Sequence, residues 1–298
     1  MTTVAVIAHT RKQLGGGLAE LREVLRAHGI DEPLWYEVLK SKQAPKQARA
    51  ALEAGADLVF VWGGDGMVQR CADVLAGTGA TMAVVPAGTA NLLATNLSIP
   101  KDVEAAVRIG LSGHHLDLDV GRINGERFLV MAGVGFDALM IRDADRALKD
   151  RVGRAAYVWT GARHLREKPV DTRIVVDGTT WFHGDATCVL VANVGTIVGG
   201  ITAFEAARPD DGRLEVGVVC ATGVVQWSRV MARIIAGRPD KSPLVQMTSG
   251  TKIDVQLDQK RPYELDGGAR SATRRLKIRV EHAALAVCTP SDHDHDGN

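Results

Sequence analysis

The first hundred residues alternate between short apolar runs and segments with helical spacing, and this alternation restricts the fold more than any other feature of the sequence. Runs that are apolar throughout indicate strands covered on both faces, as in a parallel sheet with helices between its strands. This half is therefore predicted to be a doubly wound α/β domain. Its predicted strands are residues 4–8, 34–39, 58–62 and 81–85, and its predicted helices are residues 17–28, 42–54, 67–75 and 103–111.

From about residue 116 the strand signals lie closer together and are separated by turn dipeptides. These dipeptides are Asn124-Gly125, Asp177-Gly178, Asp211-Gly212 and Asp266-Gly267. Asn-Gly and Asp-Gly pairs favour tight hairpin turns, so the second half is predicted to be mainly antiparallel β-structure. The predicted strands are residues 116–120, 127–132, 173–176, 186–192, 214–220, 252–257, 276–280 and 285–288, and two helices are predicted at residues 143–166 and 224–236.

Length and charge exclude several classes of protein. A chain of 298 residues is long enough for two domains with separate cores, and 46% apolar residues indicate a folded protein. A formal net charge of +1 argues against a dedicated nucleic-acid binder. The N-terminus carries no secretory leader pattern and no run approaches the roughly 18 apolar residues of a membrane span. The four scattered cysteines are expected to be reduced, buried thiols of a cytoplasmic protein.

A Gly-Gly-Asp-Gly stretch, residues 63–66, follows a predicted strand and precedes a predicted helix. Glycines in this position allow backbone N–H groups to approach an anion at the start of a helix. Asp65 beside a bound phosphate is unfavourable unless a cation lies between them or the carboxylate accepts a proton from an attacking hydroxyl. The stretch therefore favours a phosphate-binding turn, and the alternative is a simple tight turn.

A second polar loop follows the next predicted strand. It contains Pro86, Gly88, Thr89 and Asn91 and leads into a helical segment. The hydroxyl and the carboxamide are suited to capping that helix or to binding a ligand. Because successive parallel strands end at the same edge of a sheet, the two loops are expected to converge there.

Taken together, the motifs of the chain resemble the bacterial lipid kinases of the diacylglycerol kinase catalytic-domain group, which are relatives of sphingosine and ceramide kinases. Gly-Gly-Asp-Gly alone is also compatible with kinases of nicotinamide dinucleotide and with phosphofructokinases, but the ordered set of motifs is more specific. The segments that carry the resemblance are GGDGM at 63–67, PAGTANLLATNLSIP at 86–100, AGVGFDA at 132–138, the stretch 193–216, and ELDGG at 264–268.

The resemblance implies a two-domain fold like that of the NAD kinases and diacylglycerol kinases. Residues 1–116, joined by a returning segment 283–298, are expected to form the α/β nucleotide-binding domain. Residues 117–282 are expected to form a lipid-substrate domain built as an antiparallel β-sandwich. The implied activity is the transfer of the γ-phosphate of ATP, with Mg²⁺, to the hydroxyl of diacylglycerol or a similar lipid alcohol.

The resemblance also assigns site residues. The nucleotide and its metal are assigned to Thr10, Gly63, Gly64, Asp65, Gly66, Gly88, Thr89 and Asn91. A structural Mg²⁺ is assigned to Asp211 with the backbone carbonyls of Arg208 and Arg213, a set that suits a hard cation. The alternative for Asp211-Gly212 is a plain turn.

The sequence departs from the family pattern at three places. The segment His9-Thr10-Arg11-Lys12 stands where the family usually has Asn-Pro, Met67 replaces a threonine, and Gly268 replaces a glutamate proposed as the catalytic base. A general base contributes about 10²–10⁴-fold to rate, so its loss predicts a weakened kinase rather than an inactive one. Asp65 is expected to act as the base, with Asp266 as its helper.

The sequence also leads to expectations about binding partners and about alternative functions. The helix predicted at residues 143–166 has an apolar stripe and an excess of basic residues, which favours peripheral contact with the inner membrane surface, or else packing on its own domain. The resemblance also allows a homodimer. The rival functions are a kinase of a soluble alcohol or of NAD, and a nucleotide- or lipid-binding protein with weakened catalysis.

Overall fold

The computed structural model describes residues 2–135, 168–197, 201–238 and 241–291. The chain divides into two compact units: unit 1 comprises Met1–Val120 and His282–Asn298, and unit 2 comprises Gly121–Glu281. The helix predicted at residues 143–166 lies outside the described residues. No helix in the described ranges is both long enough and apolar enough to cross a bilayer.

Unit 1 contains the predicted parallel sheet. Its strands are β1 (Val4–His9), β2 (Leu34–Val38), β3 (Leu58–Gly63) and β4 (Thr81–Pro86), and they pair in parallel in the order β4-β3-β1-β2. Every residue of β1 and β3 is buried, as continuous apolar runs predict. The register pairs Gly63 with Pro86, so the two candidate loops leave the sheet side by side.

The helices of unit 1 begin where local chemistry permits. The helix predicted at residues 42–54 begins only at residue 44, with Pro45 in its first turn, where a missing N–H costs no hydrogen bond. Asp102 caps another helix by accepting the Ala105 N–H at 2.8 Å. The helices are α1 (Gly17–Ala27), α2 (Ala44–Glu53), α3 (Asp65–Leu75), α4 (Leu92–Asn96) and α5 (Val103–Leu111).

Unit 2 is antiparallel, as predicted. Strand β5 (His115–Ile123) begins in unit 1, and the strands that follow it are β6 (Glu126–Phe128), β7 (Met131–Val134), β8 (Val170–Val176), β9 (Thr179–Ala186), β10 (Cys188–Ala192), β11 (Thr196–Ile197), β12 (Ile201–Thr202), β13 (Leu214–Val219), β14 (Val245–Gly250), β15 (Lys252–Leu265) and β16 (Gly268–Cys288). One helix, α6 (Gly223–Ile235), lies close to its predicted range. The main ladder runs β14-β13-β10-β7-β15-β16, with β8 paired to β15 and β9 paired to β8.

Three of the predicted turns form hairpins with left-handed backbone. Asn124, Asp177 and Asp266 have φ angles of 49°, 48° and 44°, and the glycine after each also has a positive φ. Asn and Asp tolerate this conformation better than other non-glycine residues, and two such residues in succession match the twist of the flanking strands. The hairpins β5–β6, β8–β9 and β15–β16 therefore follow from local sequence.

The cysteines are free thiols, as expected. Cys71, Cys188 and Cys288 are buried, and burial raises the pKa of the Cys71 thiol to about 12. A thiol with so high a pKa carries almost no thiolate near neutral pH and packs as a small apolar side chain.

One continuous strand, β16, replaces the two strands predicted at residues 276–280 and 285–288. Its first part pairs with β15 inside unit 2, and Val287 near its end pairs in parallel with Met82 of β4 inside unit 1. Where the strand enters unit 1, the fully buried Asp119 accepts the Ala283 N–H at 2.8 Å and contacts His282 Nδ1 at 2.6 Å. Asp119 therefore fixes the entry of the returning strand.

Replacing this carboxylate tests its role. We expect Asp119→Ala to lower the free energy of unfolding by about 1–3 kcal/mol, because it removes the buried carboxylate that accepts the Ala283 N–H and contacts His282. Asp117→Ala is the control, since Asp117 lies on the same strand but its side chain is 65% exposed. Urea unfolding of both variants is the measurement, and equal, small effects would contradict the assignment.

Candidate functional site

The Gly-Gly-Asp-Gly segment forms the junction between β3 and α3. The helix begins at Asp65, two residues earlier than predicted from the sequence, with Gly64 as its N-cap residue. Gly64 has no side chain that accepts the first N–H groups of the helix. The Met67 N–H donates to the Gly64 carbonyl at 2.8 Å, and the Gly66 N–H before it is available to an anion. A Cβ atom on Gly66 would have no heavy atom within 4 Å, so this side of the junction is open.

The junction touches the second predicted loop backbone to backbone. A Cβ on Gly64 would lie 3.0 Å from Gly88 Cα, and a Cβ on Gly88 would lie 2.3 Å from Gly64 Cα. A Cβ on Gly63 would lie 2.5 Å from the Met67 Cβ. The packing therefore leaves no room for a side chain at Gly63, Gly64 or Gly88. Gly66 is not constrained in this way.

Asn91 organises the second loop. It adopts a left-handed conformation with φ 50°, and its side chain is buried. Its Oδ1 accepts the Gly88 N–H at 2.9 Å, and its Nδ2 donates to the carbonyl oxygens of Pro86 and Gly88, both at 3.1 Å. Asn91 shapes the site because both of its side-chain amide protons are used inside the loop. Thr89 is exposed and presents its side chain to solvent.

Asp65 joins the two loops through its carboxylate. Its Oδ2 accepts the Asn91 N–H at 2.9 Å, and its Oδ1 accepts the Leu92 N–H at 2.5 Å, at the start of α4. Burial raises the pKa of Asp65, although the hydrogen bonds from these backbone groups act in the opposite direction. Each carboxylate oxygen can accept a further hydrogen bond or bind a cation.

The loop after β1 lies at the same end of the parallel sheet. The Thr10 hydroxyl donates to the Val38 carbonyl at 3.3 Å, so it is engaged with backbone. His9 is buried, and its pKa is lowered by burial and by the charges of Lys12 and Arg11. No motif of the sequence assigns a role to these two cations. The signal that points to them is the candidate phosphate-binding junction, where none of the other described residues assigned to the nucleotide carries a positive side chain.

In unit 2, Asp266 serves backbone groups. It is buried, its Oδ1 accepts the N–H groups of Val130 and Met131 at 2.9 and 3.0 Å, and its Oδ2 accepts that of Leu129 at 2.8 Å. These bonds hold the segment before β7 and favour a structural role. The predicted role as helper base stays a prediction.

Gly268 lies beside an arginine. A Cβ on Gly268 would lie 2.7 Å from Arg270 Nη1, which donates to the Gly268 carbonyl at 3.0 Å. The Arg270 guanidinium also pairs with Glu126, with Nε to Oε2 at 2.8 Å. The space that a larger side chain would use is therefore partly filled by this ion pair.

Asp211 forms an exposed turn. Its Oδ1 accepts the Arg213 N–H at 2.9 Å. The neighbouring Glu215 has a raised pKa, caused by burial and then by the negative charge of Asp211. Carboxylates are ligands that a hard cation prefers, but the described residues contain no group of three His, Cys, Asp or Glu side chains arranged for a metal. The Mg²⁺ site of Asp211 with Arg208 and Arg213 stays a prediction.

An α/β unit with a glycine-rich junction, followed by a β-rich second unit, is the arrangement that the sequence motifs predict for a kinase. Comparison with known families identifies which kinase group this is. Residues 4–123 match the diacylglycerol kinase catalytic domain, and residues 130–289 match the YegS C-terminal NAD kinase beta sandwich-like domain. The chain belongs to the diacylglycerol kinase family.

Individual relatives agree with this family. A diacylglycerol kinase of Mycobacterium tuberculosis is 30% identical over 247 residues, which cover 81% of this chain and 79% of that protein. A diacylglycerol kinase of Staphylococcus carnosus is 26% identical over 262 residues, covering 86% of this chain and 84% of the relative. An uncharacterized protein of Synechocystis is 30% identical over 263 residues, or 86% of this chain, and the match spans 59% of that protein.

Solved structures support the fold. A diacylglycerol kinase from Bacillus anthracis superposes with a TM-score of 0.74 at 20% identity, covering 97% of both chains. An NAD kinase from Archaeoglobus fulgidus in complex with ATP superposes with a TM-score of 0.56 at 12% identity, covering 99% of this chain and 96% of that one. At these identities the likeness concerns the fold alone.

Two glycine variants separate packing from ligand binding. We expect Gly66→Ala to fold normally, because the added methyl group meets nothing within 4 Å. If the open side holds phosphate, the same variant binds ATP about tenfold more weakly, since overpacking typically costs about 1–3 kcal/mol. Gly88→Ala instead loses stability. Urea unfolding and calorimetric ATP titration are the measurements, and unaltered ATP affinity in Gly66→Ala would contradict the phosphate cradle.

Proposed function

We propose that this protein is an ATP-dependent lipid kinase that transfers the γ-phosphate to the hydroxyl of diacylglycerol or a similar lipid alcohol. The observation that carries the proposal is the Asp65 carboxylate, held between two glycine loops at the exposed start of α3. The names of the relatives from Mycobacterium and Staphylococcus support a lipid alcohol as acceptor.

The chain supplies two kinds of phosphate-binding group. The first N–H groups of α3 lack a side-chain cap and carry the positive end of the helix dipole. Arg11 and Lys12 add full charges at the same end of the sheet. Together these groups bind and orient the triphosphate of ATP, which is the larger part of catalysis in phosphoryl transfer.

Asp65 has acceptor capacity left for two further tasks. The carboxylate oxygens that accept N–H groups from Asn91 and Leu92 retain lone pairs that can hold Mg²⁺ and accept a proton. When bound, Mg²⁺ neutralises charge on the transferring phosphate. The raised pKa of Asp65 makes its ionised form a stronger base towards the lipid hydroxyl than an ordinary aspartate.

Gly268 lowers the rate in this proposal without abolishing it. The glutamate that the family pattern has at this position is absent, and the Arg270–Glu126 pair lies beside the glycine. A loose transition state depends more on positioning and charge neutralisation than on early proton removal. We therefore propose a slow kinase, acting from the cytoplasmic side at the inner membrane surface, where its ATP and its lipid substrate meet.

Radiolabelled phosphate transfer tests the proposal. The purified protein, ATP and Mg²⁺ are incubated with diacylglycerol, other lipid alcohols, soluble alcohols and NAD. We expect label in diacylglycerol or a related lipid. Label only in NAD or in a soluble alcohol would identify one of the rival kinases, and ATP binding without transfer to any acceptor would identify a binding protein.

Two aspartate variants locate the chemistry. We expect Asp65→Asn to lose about 10²-fold or more of the transfer rate, since it removes the proposed base. Asp266→Asn is expected mainly to lower stability, because an amide cannot accept all three backbone N–H groups. Full activity of Asp65→Asn would overturn the mechanism.

The pH dependence of kcat/KM follows from the environment of Asp65. Burial raises its pKa above the usual 3.8, so the carboxylate is protonated over a wider acidic range. We expect activity to fall as pH decreases through this raised pKa, with the midpoint of the acid limb above pH 3.8. Circular dichroism at each pH confirms that the protein is folded. A midpoint at or below the usual value would contradict Asp65 as the base.

A further inference from the structure

The outer face of the sheet in unit 2 carries a cluster of basic side chains. Along β16 the residues Arg275, Lys277 and Arg279 alternate with the buried Leu276 and Ile278, so the three cations share the solvent face. Lys252 of β15 lies directly opposite Arg279. We call Lys252, Arg275, Lys277 and Arg279 the basic face.

The fold places like charges together on this face. Directly opposed like charges destabilise an antiparallel pair, and Lys252 opposite Arg279 is such a pair. Lys277 lies opposite Asp254, whose pKa its charge helps to lower, whereas Lys252 has no carboxylate opposite it. Neither ammonium group forms an ion pair within 4 Å of a described carboxylate, and both lysines are exposed. Stability alone does not account for this arrangement, which suits a partner that carries negative charge.

The carboxylates near the basic face are already engaged. Asp254 accepts hydrogen bonds from the Arg275 guanidinium, with Nε to Oδ1 at 2.8 Å, and Glu281 is shared by Arg122, Arg127 and Arg279. Asp177 accepts hydrogen bonds from Thr251 and from the Lys252 N–H. Asp258 lies on β15 about 13 Å beyond Asp254, the partner of Lys277, so at physiological salt its charge is screened from Lys277 and Lys252 and acts only near Arg275.

The shape of the basic face favours a lipid surface. A shallow depression of about 410 Å³ lies between the strands, lined by the apolar Val175 and by Lys252, Asp254, Lys277 and Arg279. The aliphatic stems of such lysines can lie along apolar surface while their charges reach phosphate groups. No aromatic ring lines the depression, so the stacking platform typical of single-stranded nucleic-acid sites is missing among these lining residues. A second copy of the chain would bring like charges together.

We infer that the basic face docks on an anionic lipid bilayer, with Lys252 and Lys277 contacting headgroup phosphates. This inference rests on the proposed lipid-kinase function, which requires the protein to visit a membrane, and it assigns that contact to a surface of unit 2. A near-neutral chain gains attraction for anionic lipid only where its cations are concentrated.

Vesicle sedimentation tests the inference on the full-length protein. Vesicles of phosphatidylcholine with phosphatidylglycerol are compared with vesicles of phosphatidylcholine alone, at low and at physiological salt. We expect binding only to the anionic vesicles, decreasing with salt. The variant K252Q/K277Q is expected to bind about 25-fold more weakly, because each basic residue near an anionic membrane contributes about fivefold.

A matched variant controls for net charge. K42Q/K46Q removes the same charge from exposed lysines of unit 1 and is expected to retain vesicle binding. Equal losses in both double variants, or none in K252Q/K277Q, would overturn the inference. So would lysine-dependent binding of a DNA oligonucleotide without vesicle binding, or a dimer in ultracentrifugation that K252Q/K277Q dissociates.

Activity measurements separate this inference from the proposed function. With a short-chain diacylglycerol in neutral detergent micelles, K252Q/K277Q is expected to transfer phosphate at the normal rate, while its activity on anionic vesicles falls with its binding. A loss of activity in micelles would place the two lysines in the active site and contradict a docking role. If no lipid is phosphorylated at all, the proposed function fails while the vesicle binding remains measurable.

Discussion

The contact between Gly64 and Gly88 is the constraint on which the rest of the candidate site depends. The parallel register of β3 and β4 pairs Gly63 with Pro86, so the two loops leave the sheet as neighbours with no space for a side chain between them. Asp65 then links the loops by accepting the N–H groups of Asn91 and Leu92. The same burial that permits this contact also raises the pKa of the carboxylate. The close packing of the two loops and the raised pKa of Asp65 therefore have a single cause.

The sequence predicts those parts of the fold that depend on periodicity and local turn chemistry. The parallel sheet of unit 1 follows from apolar runs such as the buried β3, and the hairpin at Asp177 follows from a pair of residues that tolerate positive φ. Strands β9 and β14 are not predicted from the sequence, because their exposed and polar residues give no apolar run. The sequence predicts two strands in place of the single strand β16, because polar residues separate its two apolar stretches.

Side-chain roles were harder to predict than the positions of the motifs. The motifs indicated that Asn91 and Asp266 matter, but the partners of both side chains depend on tertiary structure. Asn91 uses both of its amide protons on carbonyl groups of its own loop, and Asp266 accepts N–H groups from residues more than a hundred positions away in the sequence. The sequence shows an aspartate in a turn but does not show whether its carboxylate faces a ligand or the backbone. Only the hydrogen-bond partners distinguish these cases.

The single long strand β16 has a consequence for how the protein is made. Unit 1 needs the end of this strand, where Val287 pairs with Met82, yet that segment is synthesised only after the whole of unit 2. During translation the first strands of unit 1 emerge early but wait with one edge of β4 unpaired. The contact closes a loop of some two hundred residues, a separation that slows folding. We therefore expect the nascent unit 1 to depend on chaperones until the ribosome has released the returning strand, because β4 is apolar along its length.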